Sequence, residues 1–143
     1  MTNSPFLPGL PQLIAATCKR HPIALAYLFG SHARGTADDE SDIDIGILAE
    51  ANLSKAERSD LKLRLIRELS DALSVPMEQV DVVILQDVPA LLQFNIIRNG
   101  KVVFGKKQSA DYILAVERAY EDESPYLDRE AEVTIQRILA HRA

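Results

Sequence analysis

The sequence lacks the features that disulfide-bonded, membrane-spanning and secreted proteins require. It has a single cysteine, Cys18, and no tryptophan, so no intrachain disulfide can form and a reducing compartment is favoured. No uncharged run is long and apolar enough to cross a bilayer. The first 18 residues carry no charged side chain, but no Lys or Arg precedes the apolar part and three prolines interrupt it, which argues against a signal peptide. We therefore expect a cytoplasmic protein without a membrane partner.

Clustered positive charge is also missing. The formal net charge is −5, and affinity for nucleic acids comes largely from neutralising phosphates, so we expect no direct nucleic-acid binding. The apolar content of 47% and charged content of 26% are ordinary for a soluble globular protein. The length fits one domain. We predict a single domain over residues 1–143, with a core from about 10 to 105 and a C-terminal helical segment from about 109 to 143.

Apolar residues recur with helix spacing in some segments and strand spacing in others. Strands are predicted over Ile23–Phe29, Ser41–Leu48, Val80–Leu85 and, at an edge, Lys101–Phe104. Helices are predicted over Leu10–Arg20, from a Ser54 cap to about Leu73, from Pro89 to Asn99-Gly100, and from Ser109 onward with a break near Ser124-Pro125. This order predicts an α/β (α+β) fold, a small mixed sheet flanked by helices, with further helices at the C-terminus. The first two strands are joined too closely for a crossover helix, so we expect them to be antiparallel.

Three aspartates occupy strands that are otherwise apolar. Asp42 and Asp44 are two apart on a predicted strand and therefore point to the same face. Aspartate is depleted in strands, and two neighbouring carboxylates repel each other. A divalent cation resolves this conflict because hard cations bind carboxylate oxygens. Asp81 begins a later strand and can join the pair if the two strands are neighbours. Two Mg²⁺ held ~3.5–4 Å apart by such acids would clamp the oxygens of an in-line phosphoryl substitution.

The turn after the first strand has the composition of a phosphate-binding loop. Gly30 permits a close backbone approach, and free N–H groups in such a turn can cradle phosphate oxygens. Ser31 adds a hydroxyl donor. Arg34 is interpreted equally well as a phosphate contact or as a surface charge. His32 lies inside the turn, and we interpret it as a solvated loop histidine rather than as a nucleotide contact.

Together these segments resemble a known family. Gly30-Ser31, ten residues and then Asp42-Ile43-Asp44, with a third Asp on a later strand, is similar to the signature of polymerase-β-type nucleotidyltransferases. The string LFGSHARGTADDESDIDIGIL closely resembles the minimal nucleotidyltransferase (MNT) branch. The later VDVVILQDVPALLQFNIIRNGKVVFG and the helix after it resemble the adenylyltransferase antitoxins of MNT–HEPN toxin–antitoxin pairs.

The resemblance implies a polymerase-β-type fold and a set of roles. Asp42 and Asp44 would ligate Mg²⁺, Asp81 would complete the metal site and help deprotonate the attacking hydroxyl, and Gly30 and Ser31 would hold the triphosphate of ATP. The acceptor would be a tyrosine hydroxyl on a HEPN-domain ribonuclease toxin, which AMP attachment would block.

Two other functions remain open from the sequence. The chain would act as an antitoxin by binding alone if its metal site were vestigial, and the acidic stretch 111–132, with Tyr112, Tyr120 and Tyr126, is either a docking surface for a basic toxin or a solvated helical face. A small-molecule nucleotidyltransferase of the aminoglycoside-modifying type is disfavoured, because 39 residues after Phe104 are too few for the additional substrate-binding domain of those enzymes.

Overall fold

Four strands form the sheet. A computed structural model of the chain describes residues 9–38, 40–105 and 109–123. The strands in these ranges are β1 (Ile23–Phe29), β2 (Ile43–Ala49), β3 (Val80–Ile84) and β4 (Lys101–Gly105). They lie in the order β3-β2-β1-β4. β1 is antiparallel to both β2 and β4, and β2 is parallel to β3. The mixed sheet, the antiparallel first pair and the edge position of the last strand confirm the predictions from the sequence.

Five α-helices occur within the described ranges. They are α1 (Leu10–Lys19), α2 (Ser31–Arg34), α3 (Lys55–Leu73), α4 (Ala90–Asn99) and α5 (Ser109–Glu123). One turn of 3-10 helix precedes β3 at Met77–Gln79, and another follows it at Leu85–Asp87. No helix in these ranges combines the length and apolarity needed to span a bilayer. The predicted break near Ser124-Pro125 and the tyrosine at 126 fall outside the described residues.

The longest helix, α3, follows from its local sequence. The Glu57 N–H donates to Ser54 Oγ at 3.1 Å, and the Ser54 N–H donates to Glu57 Oε1 at 2.8 Å. This capping box satisfies two backbone donors that the helix would otherwise leave unpaired. Leucines at four-residue spacing form the buried stripe predicted for this helix: Leu61, Leu65, Leu69 and Leu73. The stripe fixes which side of α3 packs on the sheet.

The sheet separates two apolar layers. Ile43, Ile45 and Ile47 of β2 are fully buried in the layer that contains α1 and α3. The opposite face packs against α4, with aromatic and aliphatic residues of α5 adjoining the same cluster. Because side chains alternate along a strand, the even-numbered residues of β2 face α4. A Cβ added at Gly46 would lie 3.1 Å from Ile96 Cγ2, so the glycine allows α4 to lie directly on β2, two residues from Asp44.

Candidate active site

Asp44 is the centre of a row of three residues that crosses three strands. The register pairs Asp44 with Phe29 of β1 on one side and with Asp81 of β3 on the other. Directly paired residues project their side chains from the same face, so the two acids are neighbours on the face that carries α4. Asp44 is fully buried and Asp81 is half-buried. β2 and β3 are thus adjacent, as the convergence of these acids requires.

Asp42 lies just outside the strand that holds Asp44. The sequence predicted that this strand begins at Ser41, but β2 begins at Ile43. Ser41 is instead part of a closed turn, in which the Asp38 N–H donates to Ser41 Oγ at 2.8 Å and Ser41 Oγ donates to Asp38 Oδ1 at 3.1 Å. Such local side-chain bonds compete with extended backbone. Asp42 is half-buried at the junction of turn and strand.

Gly30 brings the turn after β1 against Asp44. Its backbone has φ 72° and ψ −155°, a combination that is essentially restricted to glycine. A Cβ at this position would lie 2.3 Å from Asp44 Oδ2, far inside contact distance. The Gly30-Ser31 bend and the buried carboxylate therefore touch, and only a residue without a side chain fits between them.

Ser31 carries a polar group that the described residues leave unsatisfied. The residue is fully buried, and its Oγ has no hydrogen-bond partner among the described residues. Buried hydroxyls are nearly always bonded, so Ser31 Oγ is available to hydrogen-bond with a bound molecule or with water. Arg34, at the end of α2, is exposed, and both of its interpretations, phosphate contact and surface charge, stay predictions.

The donor chemistry of the site fits a hard divalent cation. Carboxylate oxygens from Asp42, Asp44 and Asp81 and the Ser31 hydroxyl are the ligand types that Mg²⁺ prefers. Within the part of the chain that the structure describes, no three His, Cys, Asp or Glu side chains are gathered into a set that could hold a metal ion.

Sequence reasoning missed two side chains that support the site. His32 was interpreted as a solvated loop residue; the structure shows it half-buried, with Nε2 shielded from solvent and without a hydrogen-bond partner among the described residues. Burial lowers the pKa of His32, opposed by a hydrogen bond to the Ser41 backbone and the charge of Asp38. Gln79 Nε2 donates to the Ser41 carbonyl at 3.1 Å. No local pattern signals either contact, because both join residues that are distant in the sequence.

Known proteins share both the sequence pattern and the fold. The family described as "Polymerase beta, Nucleotidyltransferase" matches residues 12–109. The chain is 31% identical over 121 residues to the protein adenylyltransferase MntA of Shewanella oneidensis, covering 85% of this chain and 80% of MntA. A crystal structure of a toxin-antitoxin with AMP-PNP matches with a TM-score of 0.65 at 26% identity, covering 87% of this chain and 95% of the other.

A second solved structure supports the fold alone. It is that of the tri-AMPylated S. oneidensis HEPN toxin in complex with its MNT antitoxin, which matches with a TM-score of 0.56 at 23% identity and covers 87% of this chain and 96% of the other. The family match at residues 12–109 spans the Gly30-Ser31 turn and all three aspartates. The chain therefore belongs to the polymerase-β-type nucleotidyltransferase family, and within it resembles the adenylyltransferase antitoxins.

Proposed function

We propose that this nucleotidyltransferase moves AMP from ATP to a tyrosine hydroxyl of a HEPN toxin and so acts as the antitoxin of a toxin–antitoxin pair. One observation carries the proposal: the Gly30-Ser31 bend touches Asp44, which is paired with Asp81 on the next strand. The comparisons supply the precedent. The relative MntA is a protein adenylyltransferase, and one similar chain is part of a toxin-antitoxin with AMP-PNP.

Mg²⁺ is the cation we assign to the three acids. Asp42, Asp44 and Asp81 would hold one ion or a pair, because hard oxygen donors suit Mg²⁺ and its charge offsets their mutual repulsion. The bound metal would supply positive charge where negative charge develops on the phosphoryl oxygens. The remaining chemistry is assigned to the chain's own groups.

The nucleotide would lie along the turn after β1. The Ser31 hydroxyl, buried and without a partner among the described residues, would donate to a phosphate oxygen of ATP. Gly30 would allow the triphosphate to approach the backbone, and the exposed Arg34 would reach toward the phosphates from the end of α2. These contacts orient the α-phosphate so that an acceptor can attack in line.

The transfer balances as a single substitution. The acceptor tyrosine oxygen forms a bond to the α-phosphorus while the bond from that phosphorus to the oxygen bridging to the β-phosphate breaks, and pyrophosphate leaves. The proton of the tyrosine hydroxyl passes to the Asp81 carboxylate, which is half-buried and so remains accessible from the face of the sheet. The product is a tyrosine that carries AMP.

The direct test is AMP transfer to the partner. Purified chain, ATP and Mg²⁺ are incubated with a purified HEPN-domain toxin as the partner, and intact mass spectrometry follows the mass of that partner. We expect a mass increase of one or more AMP groups, abolished by EDTA and by Asp44→Asn, and retained by Asp71→Asn, which makes the same change at an exposed position on α3. If the HEPN partner stays unmodified when the chain is folded and loaded with Mg²⁺, the proposal is contradicted.

The same variants separate catalysis from neutralisation by binding. If Asp42→Asn combined with Asp44→Asn still protects cells that express the toxin, contact between the two proteins is sufficient and AMP transfer is not the means of protection. If protection is lost while the complex still forms, transfer is required. Incubation with an aminoglycoside in place of the HEPN protein tests the small-molecule alternative, for which we expect no adenylylated product.

A further inference from the structure

We propose that Gln79 is a positioning residue that fixes Asp42 by holding the Ser41 carbonyl. This inference rests on the proposed function, since it assigns roles within that same site. Asp42 itself lies beyond the regular hydrogen-bonding ladders, because the pairing of β2 with β3 begins at Ile43 and that of β2 with β1 ends at Asp44. Its place relative to Asp44 and Asp81 therefore depends on bonds outside the sheet.

Gln79 ties the residue before Asp42 to the segment before Asp81. Gln79 Nε2 donates to the Ser41 carbonyl at 3.1 Å, and Gln79 is the last residue of the 3-10 turn that leads into β3. The bond thus joins the backbone one residue before the first acid to a residue two positions before the third. It extends the parallel pairing of β2 and β3 by a side chain where the backbone no longer pairs.

The remaining polar groups of Ser41 are held by its own loop. The Ser41 N–H donates to the Asp38 carbonyl at 3.2 Å, and Ser41 Oγ is bonded to the N–H and the carboxylate of Asp38. With all of its polar groups engaged, Ser41 is a fixed point for the backbone that enters Asp42. A support of this kind orients a metal ligand without touching the metal.

The test measures cation affinity rather than transfer. Mn²⁺, as a paramagnetic substitute for Mg²⁺, is titrated into the full-length chain, and free Mn²⁺ is followed by electron paramagnetic resonance. Gln79→Met removes the amide donor at similar volume, and we expect about tenfold weaker Mn²⁺ binding.

Gln86→Met is the matched control. Gln86 follows β3 as Gln79 precedes it, and its amide bonds the backbone of Ala49 at the opposite end of β2. We expect this variant to lower the melting temperature at least as much as Gln79→Met and to bind Mn²⁺ like the wild type. Equal loss of affinity in Gln86→Met, or unchanged affinity in Gln79→Met, would overturn the positioning role.

The two proposals fail in different ways. Mn²⁺ affinity needs neither ATP nor a toxin, so a wild-type chain that does not label the HEPN partner, but whose affinity falls in Gln79→Met, refutes the acceptor and keeps the positioning role. A chain that labels the partner, but whose Mn²⁺ affinity is unchanged in Gln79→Met, refutes the positioning role and keeps the acceptor. At a Mg²⁺ concentration below saturation, we expect Gln79→Met to lower kcat while the KM for the partner is unchanged, because Gln79 does not lie where the partner binds in the proposed reaction.

Discussion

A glutamine side chain holds each end of the β2–β3 pair, but only one end carries the candidate active site. At one end, Gln79 donates to the Ser41 carbonyl. At the other, Gln86 Nε2 donates to the Ala49 carbonyl at 2.7 Å, and the Ala49 N–H donates to Gln86 Oε1 at 3.2 Å. Each glutamine flanks β3 and satisfies backbone groups where the ladder runs out. The glutamine-to-backbone hydrogen bonds are alike at the two ends, so the ends differ in the charged side chains around those bonds.

Opposite charges are paired at the Gln86 end. Arg58 donates from Nε and from its terminal nitrogen to the two carboxylate oxygens of Asp87, at 3.1 and 2.8 Å, and donates to the Leu53 carbonyl at 3.0 Å. At the Gln79 end, like charges are brought together instead, beside a glycine in a conformation that other residues rarely adopt. Local rules that favour stability are obeyed at one end and broken at the other, which is expected where a site serves function.

The largest expected effect comes from neutralising the central acid. Asp44→Asn should lower AMP transfer by ~10³-fold, because a metal ligand contributes several kcal/mol to the transition state. The same change at the other end, Asp87→Asn, should leave transfer unchanged. Metal-free Asp44→Asn should unfold in urea no more easily than the wild type, since repulsion from Asp42 and Asp81 is relieved. A marked loss of stability would instead assign Asp44 a structural role.

Two glycines of the turn should differ in their tolerance of a side chain. Gly30→Ala introduces a Cβ 2.3 Å from Asp44 Oδ2 at φ 72°, and we expect it to lower the free energy of unfolding by about 3 kcal/mol. Gly35→Ala also has a positive φ, 76°, but its Cβ meets nothing within 4 Å, so about 1 kcal/mol is expected. Urea denaturation of both variants measures the difference; equal losses would mean that the contact with Asp44 is unimportant.

Cation binding should stabilise the folded chain by mass action. At a Mg²⁺ concentration of 100 times Kd, the free energy of unfolding should rise by about 2.7 kcal/mol. Denaturation curves with and without Mg²⁺ measure this rise in the free energy of unfolding, and a buffer with EDTA gives the value for the metal-free chain. The increase should disappear in Asp44→Asn and persist in Asp87→Asn. An increase that survives in Asp44→Asn would locate the stabilising ion elsewhere.

The smallest effect concerns the ion pair at the Gln86 end. Hydrogen bonds from Arg58 lower the pKa of Asp87. A carboxyl group whose folded pKa is lowered contributes stability above its unfolded pKa and loses it as the pH falls through the folded value. Acid titration of the free energy of unfolding should therefore be less steep below about pH 4 in Asp87→Asn than in the wild type. Identical slopes would mean that the ion pair contributes nothing measurable.

The sequence predicted what depends on local spacing. The stripe of α3, the Ser54 cap and three of the four strands follow from periodicity or capping within a single element, and the Gly-Ser to Asp spacing is itself a local pattern. The start of β2 was predicted two residues early, because polar–apolar alternation continues through Ser41 while the turn with Asp38 takes its bonds.

The supports of Asp42 lay beyond such reasoning. The bond from Gln79 to Ser41 spans 38 residues, and which loop side chains meet across that distance is set by the packing of whole elements. Composition at His32 favoured a solvated loop, but the folded chain half-buries its ring. Supports of this kind become visible once the strands on both sides are in position.

The close packing of α4 on Gly46 has an electrostatic consequence for Asp44, two residues away on β2. One row along the strands, Tyr27, Gly46 and Val83 lie opposite one another beneath Ile96, and this layer is dry because its apolar members are buried. Asp44 is itself fully buried, so little water screens its charge, and a bound cation would interact with it through a medium of low local dielectric. The packing of α4 on Gly46 thus strengthens the electric field of Asp44 at this end of the sheet.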